Sequence, residues 1–168
     1  MSHAQAVKGR VVDCLSRIRR DSAPLILLSP LAEGVDRLVA EILLNSFSPS
    51  SELRVLLPFS QPAYEKTFHD PAAILPFRNL LQRARSVETM PPVPNSVPED
   101  AFLACGKAVV DRTDILLAIW DGRPAKGRGG TGEVVAYARK IGKPLAWIFS
   151  DPPFSLRFEN LKFPLEAK

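Results

Sequence analysis

Apolar residues recur at helical spacing over 5–20, where Val7, Val11, Cys14, Leu15 and Ile18 form one stripe, and over 35–45, where Val35, Leu38, Val39, Ile42 and Leu43 do the same. Pro24 stops the first helix. Leu25-Ile26-Leu27-Leu28 then makes a short unbroken apolar run, the pattern of a parallel strand covered on both faces. A second run, 53–57, ends at Pro58. The middle of the chain is less regular: 63–69 and 77–85 read as helical pieces separated by prolines, and 86–90 as a short strand. Residues 91–98 hold four prolines, which lack an amide donor and fix φ, so this stretch reads as an exposed loop. Beyond it the pattern predicts a helix over 99–112, a strand over 115–120, a helix over 134–141 and a strand over 145–149. The tail, 151–168, carries Phe154, Leu156, Phe158, Leu161 and Phe163 without a clear period and is expected to pack over the domain or against a partner.

Strands alternating with helices imply parallel pairing through right-handed crossovers. The expected fold is therefore α/β: a Rossmann-like three-layer sandwich with a central, mostly parallel sheet of about five strands and helices on both faces, in one domain spanning 1–168. Composition agrees, since 168 residues with 46% hydrophobic content suffice for one core. The apolar runs are far shorter than a bilayer span and no signal-peptide pattern opens the sequence, so no membrane association is expected. Cys14 and Cys105 are too few for a disulfide framework or a zinc site; both lie in apolar helical patterns, which suits buried free thiols and a cytoplasmic location. The net charge of +4 permits nucleic-acid binding. No nucleic-acid-binding motif accompanies it, and nucleic acid is not the expected ligand. Two basic clusters, Arg17/Arg19/Arg20 and Arg78/Arg83/Arg85, read as solvated helix faces. The third, Arg123/Lys126/Arg128, lies in a loop with more to offer.

That loop is Asp121-Gly122-Arg123-Pro124-Ala125-Lys126-Gly127-Arg128-Gly129-Gly130-Thr131-Gly132-Glu133, between a strand and a helix. Free amides and a helix dipole favour an anion there, most often phosphate. The spacing is neither a P-loop nor a dinucleotide fingerprint, and glycines also serve a plain strand-to-helix turn. Ligands of wound α/β sheets bind beyond the carboxyl ends of strands. The matching loop after 25–28 is Ser29-Pro30-Leu31-Ala32-Glu33-Gly34-Val35-Asp36-Arg37, and the two loops are expected around one site. Candidate binding residues are Ser29, Glu33, Gly34, Asp36, Arg37, Asp121, Gly122, Arg128, Gly129, Gly130, Thr131 and Glu133. Each has a structural alternative: Glu33 and Arg37 as an i, i+4 ion pair, Asp121 as an Asx turn with Gly122, Thr131 and Glu133 as helix caps, Tyr64 as core rather than a base-stacking ring. His3 and His69 form no metal or triad pattern, so neither a metal nor a covalent nucleophile is expected.

Four blocks, 29–41 (SPLAEGVDRLVAE), 55–59 with Tyr64 and Phe68, 110–122 (VDRTDILLAIWDG) and 129–139 (GGTGEVVAYAR), together resemble the SLOG superfamily, which includes the DprA proteins and the LOG phosphoribohydrolases. The resemblance is closest to a bacterial branch regarded as nucleotide sensors. It implies a Rossmann-like sheet and a pocket for a nucleotide or nucleotide-derived ligand, with an effector protein or further copies of the chain as partners. Two departures stand out. The relatives open on a strand with a phosphate-contacting turn before the first helix, and here one strand and one pocket wall are expected to be absent or supplied by another subunit. The hydrolases' P-G-G-x-G-T-x-x-E motif places its catalytic glutamate at Val134, with Glu133 one residue early. Three functions follow: nucleotide binding as a sensor, with no resident cofactor; hydrolysis of a nucleoside monophosphate with Glu133 as the catalytic carboxylate; and a non-binding oligomeric scaffold.

Overall fold

A computed structural model of the chain describes residues 2–20, 23–92, 94, 97–124 and 128–161. Lys126 and Gly127 of the glycine-rich loop, Val93, Asn95 and Ser96 of the proline-rich stretch and Phe163 of the tail lie outside the described residues.

Ser2 caps the first helix, α1 (His3–Ile18), by accepting from the Gln5 amide at 3.3 Å. The stripe read from the sequence is its buried face: Val7, Val11, Cys14 and Leu15. Strand β1 (Leu25–Ser29) follows, then α2 (Val35–Ser46) and β2 (Ser51–Leu57), which runs parallel to β1 with Leu25 opposite Ser51 and Ser29 opposite Val55. Short helices α3 (Gln61–Glu65) and α4 (Ile74–Arg83), with a 3₁₀ turn at Pro71–Ala73 before α4, lead to β3 (Ser86–Thr89), parallel to β2. The second half is α5 (Pro98–Arg112), β4 (Leu116–Trp120), α6 (Thr131–Lys140), β5 (Leu145–Phe149) parallel to β4, and β6 (Leu156–Glu159) antiparallel to β5.

The elements match the sequence expectation closely; their assembly differs. The α/β class holds, but in place of one sheet of about five strands the described residues form two three-stranded sheets, ordered β1-β2-β3 and β4-β5-β6. Two causes explain the difference. The tail, read as aperiodic, supplies β6, whose alternation of Leu156 and Phe158 with Arg157 and Glu159 is too short to stand out. And no ladder joins β1 to β4. Periodicity announces a strand but says nothing of which edges meet.

Helices bridge the two sheets. On one face Val7, Val11, Cys14 and Leu15 of α1 and Val39 and Leu43 of α2 pack with Ile119 of β4 and Ile148 of β5, while Leu53, Val55 and Leu57 of β2 meet Tyr64, Phe77 and Leu80. On the other, Cys105 and Val109 of α5 cover Leu56, and Val110, Val135 and Ala138 cover Leu116, Ala118 and Leu145. Each large side chain so covered contributes about 1.5–3 kcal/mol. Among the described residues no helix is long and apolar enough to cross a membrane.

Candidate functional site

A cavity of about 230 Å³ lies between β1 and β4. Leu27 to Ser29 form one wall and Leu116 to Ile119 the other; Val39 of α2 and Cys105 and Val109 of α5 close it from the two faces. Phe102 fixes the orientation of the sheets: it touches Phe59, just past β2, with ring centroids 5.3 Å apart, and lies against Gly129, past β4. The carboxyl ends of both sheets therefore open on the same side. Ser29, Asp36, Gly129 and Thr131 line the cavity, so the two loops singled out in the sequence meet at one place.

In the first loop Ser29 Oγ accepts from the Leu31 amide at 3.0 Å and donates to Asp36 Oδ2 at 3.4 Å, and the same carboxylate accepts from the Ala32 amide at 3.2 Å. Burial pushes the Asp36 carboxyl above its ordinary range, and the hydrogen bonds from Ala32 and Ser29 pull against that. Arg37 looks the other way. Its Nε donates to Leu31 O at 2.9 Å and Nη1 to Ala73 O at 2.8 Å, and the guanidinium lies 4.3 Å from the centre of the Phe68 ring. The side chain is only 7% exposed, so it braces the loop and does not face the cavity. Nor does Glu33 pair with Arg37 by direct contact: it accepts from the amides of His69 and Asp70 and meets His69 Nδ1 at 3.0 Å, and the His69 amide is the main reason its carboxyl is held below the usual range. Gly34, at φ +92°, is the N-cap of α2, where that backbone conformation favours glycine.

In the second loop Asp121 Oδ1 accepts from the Arg123 amide at 2.9 Å, an Asx turn around Gly122. Arg128 is paired with Asp100 at 2.6 Å. Gly129 sits at φ +81°, and a Cβ there would lie 2.9 Å from both Glu99 O and Phe102 Cβ; the glycine is required by the approach to α5. Its amide donates to Glu133 Oε2 at 2.5 Å. Gly130 caps α6, accepting from the Glu133 amide at 3.0 Å. The carboxylate of Glu133 thus already holds one of the donors an incoming anion would use, while the first-turn amides of Thr131 and Gly132 have no intrahelical acceptor.

Of the candidates, Ser29, Asp36, Gly129 and Thr131 come together. Glu33, Gly34 and Arg37 organise the start of α2, and Asp121, Gly122, Arg128, Gly130 and Glu133 stand in the second loop without lining the cavity. Tyr64 is a buried core ring, 5.7 Å from Phe77 and 5.1 Å from Phe68. The sequence reading missed the α5 wall. Its one signal was Gly106 inside a helix, a position that costs up to about 1 kcal/mol relative to alanine; a Cβ there would fall 2.5 Å from Val134 Cγ2. Cys105 is no nucleophile: its buried thiol donates to Leu56 O at 3.2 Å, and desolvation pushes its pKa to about 12. Cys14 is likewise free and buried. Among the described residues no three His, Cys, Asp or Glu side chains gather as metal ligands. No model of a known protein family matches this chain, and no curated protein matches it.

Proposed function

We propose that this chain is a Rossmann-like, cytoplasmic ligand-binding domain, and that a nucleotide or nucleotide-derived anion docks where the cavity opens at the carboxyl ends of β1 and β4. The observation that carries this reading is the convergence of Ser29 and Asp36 from one loop with Gly129 and Thr131 from the other on one cavity. Phosphate meets the Thr131 hydroxyl and the first-turn amides of α6, with the helix dipole adding to the attraction. The base or sugar lies at the mouth of the cavity, beyond the carboxyl ends of the strands. Free, buried thiols suit a reducing compartment.

Glu133 gives the reading a sharp consequence. Its carboxylate competes with phosphate for the Gly129 amide and repels it. For a binding protein, Glu133→Gln therefore strengthens phosphate-ester binding several-fold. For a glycosidic hydrolase, the same change abolishes release of free base from AMP. The test is a thermal-shift panel of mono-, di-, tri- and cyclic nucleotides and ADP-ribose on the wild-type chain and on Glu133→Gln. A ligand at a hundred times its Kd raises stability by about 2.7 kcal/mol. A selective rise, larger in the variant, supports the assignment; no rise with any nucleotide overturns it.

A further inference from the structure

The four edges of the two sheets are not alike. The outer edges carry the usual protections against further pairing. β3 is four residues long and includes Glu88, and β6 interleaves Arg157 and Glu159 with its apolar residues. The inner edges, which flank the cavity, carry none: β1 reads Leu-Ile-Leu-Leu-Ser and β4 Leu-Leu-Ala-Ile-Trp, without a charge or a proline.

Hydrogen-bond directions can be followed residue by residue. Leu25 donates its amide to Ser50 O, on the β2 side, and Leu116 donates to Pro144 O, on the β5 side. Strand alternation then turns the amides and carbonyls of Ile26 and Leu28, and of Leu117 and Ile119, toward the cavity. Among the described residues no strand stands there to receive them. The side chains tell the same story. Leu25, Leu27 and Leu28 are only half-buried and Ile26 is 44% exposed, although their sequence is that of an interior strand.

We propose that the gap between β1 and β4 is a strand slot, filled by an extended apolar segment of a separate polypeptide that lies parallel to both strands and joins the two sheets into one. Its backbone would pair with Ile26 and Leu28 on one side and with Leu117 and Ile119 on the other. Its side chains would alternate between Val39 and the Cys105–Val109 wall, so both faces must be apolar. This is β-augmentation with two edges engaged rather than one. The inference stands whether or not the cavity mouth binds a nucleotide.

The probe is a capped nine-residue peptide of alternating valine and alanine with a lysine at each end; the control has proline at its centre, which cannot complete the ladder. Fluorescence anisotropy measures binding, and hydrogen exchange measured by NMR reads the amides of Ile26, Leu28, Leu117 and Ile119. The slot predicts binding of the alternating peptide alone, with exchange at those four amides slowed at least tenfold. Ile26→Lys, on the exposed lip, weakens binding tenfold or more, while Val87→Lys on the outer edge leaves it unchanged. Far-UV circular dichroism checks that both variants fold. Equal binding of the proline control, no binding of either peptide, or slow exchange at the four amides in the free monomer overturns the proposal. So does a stable dimer with those amides protected, which assigns the slot to a second copy.

Discussion

β1 and β2 are neighbours in one ladder and each carries a run of branched apolar residues, yet those runs live in different surroundings. Leu53, Val55, Leu56 and Leu57 are each 1% exposed, and their strand, β2, has a neighbour on both edges and cover on both faces. The Leu-Ile-Leu-Leu run of β1 has one paired edge and no fully buried apolar residue, and it borders the cavity instead of a strand. The difference lies in the neighbours and not in the residues. An apolar run specifies how much covering a strand needs, and the fold decides whether it receives it.

Truncation tests this contrast most strongly. Leu56→Ala removes a side chain packed against Cys105 and Val109 and is expected to cost about 2–5 kcal/mol, as large-to-small changes in closed cores do. Ile26→Ala, on the open lip, is expected to cost under about 1 kcal/mol, because much of its surface is already in water. Urea denaturation of the two variants measures the gap. Equal losses would mean that β1 is packed as completely as β2 and that no slot exists.

Next in size is Arg37→Leu. The change removes the donors to Leu31 O and Ala73 O and leaves these carbonyls without their partner, an expected loss of about 2–3 kcal/mol. Lysine does not restore it, since a single ammonium cannot span two acceptors and stack on Phe68 as the guanidinium does. Thermal denaturation reads the stability and the nucleotide panel reads the site. Unchanged stability with lost binding would turn Arg37 from a brace into a ligand contact.

Arg37 also marks where sequence reasoning stops. Helix stripes, strand runs and the two loops at the strand ends were legible because periodicity and turn chemistry are local. The sequence also placed the two loops at one end of the sheets, because ligand loops of wound α/β sheets share one end, but did not single out Ser29, Asp36, Gly129 and Thr131 from the other candidates. It could not show which way Arg37 points. That direction depends on Phe68, Phe77 and Ala73, more than thirty residues away in the chain. For the same reason the α5 wall was illegible, and the gap was foreshadowed only through the resemblance, as an absent strand, without the β1 and β4 edges that border it: both arise from contacts between distant segments.

Glu133→Ala is expected to have a smaller effect, about 0.5–2 kcal/mol, the range for losing a side-chain acceptor at a helix N-terminus. Glu133→Gln keeps an acceptor for the Gly129 amide and loses less. Calorimetric melting of the two variants separates the hydrogen bond from the charge, and a larger loss in the glutamine variant would contradict the capping role.

The smallest effect is a pH dependence, with opposite signs at the two regions. Glu65, beside the β2 core, accepts from Arg78 at 2.7 and 2.8 Å and from Gln61 at 2.9 Å, and these partners lower its pKa from 4.5 to about 2. A depressed carboxyl stabilises the fold above its unfolded value, so this contribution is complete above 4.5 and disappears as pH falls toward about 2. Arg78 is half-exposed and water screens the pair, which keeps the effect modest. Asp36, at the β1 cavity, has a raised pKa, so its contribution is complete below the unfolded value of 3.8 and declines as pH rises. Melting temperatures from pH 7 to pH 3 are expected to fall less steeply below 4.5 in Glu65→Gln than in the wild type. In Asp36→Asn they are expected to fall more steeply, because the group that gains on acidification has been removed. Identical slopes in all three proteins would mean that neither carboxyl titrates differently in the folded and unfolded chains, and the electrostatic part of the contrast between β1 and β2 would be gone.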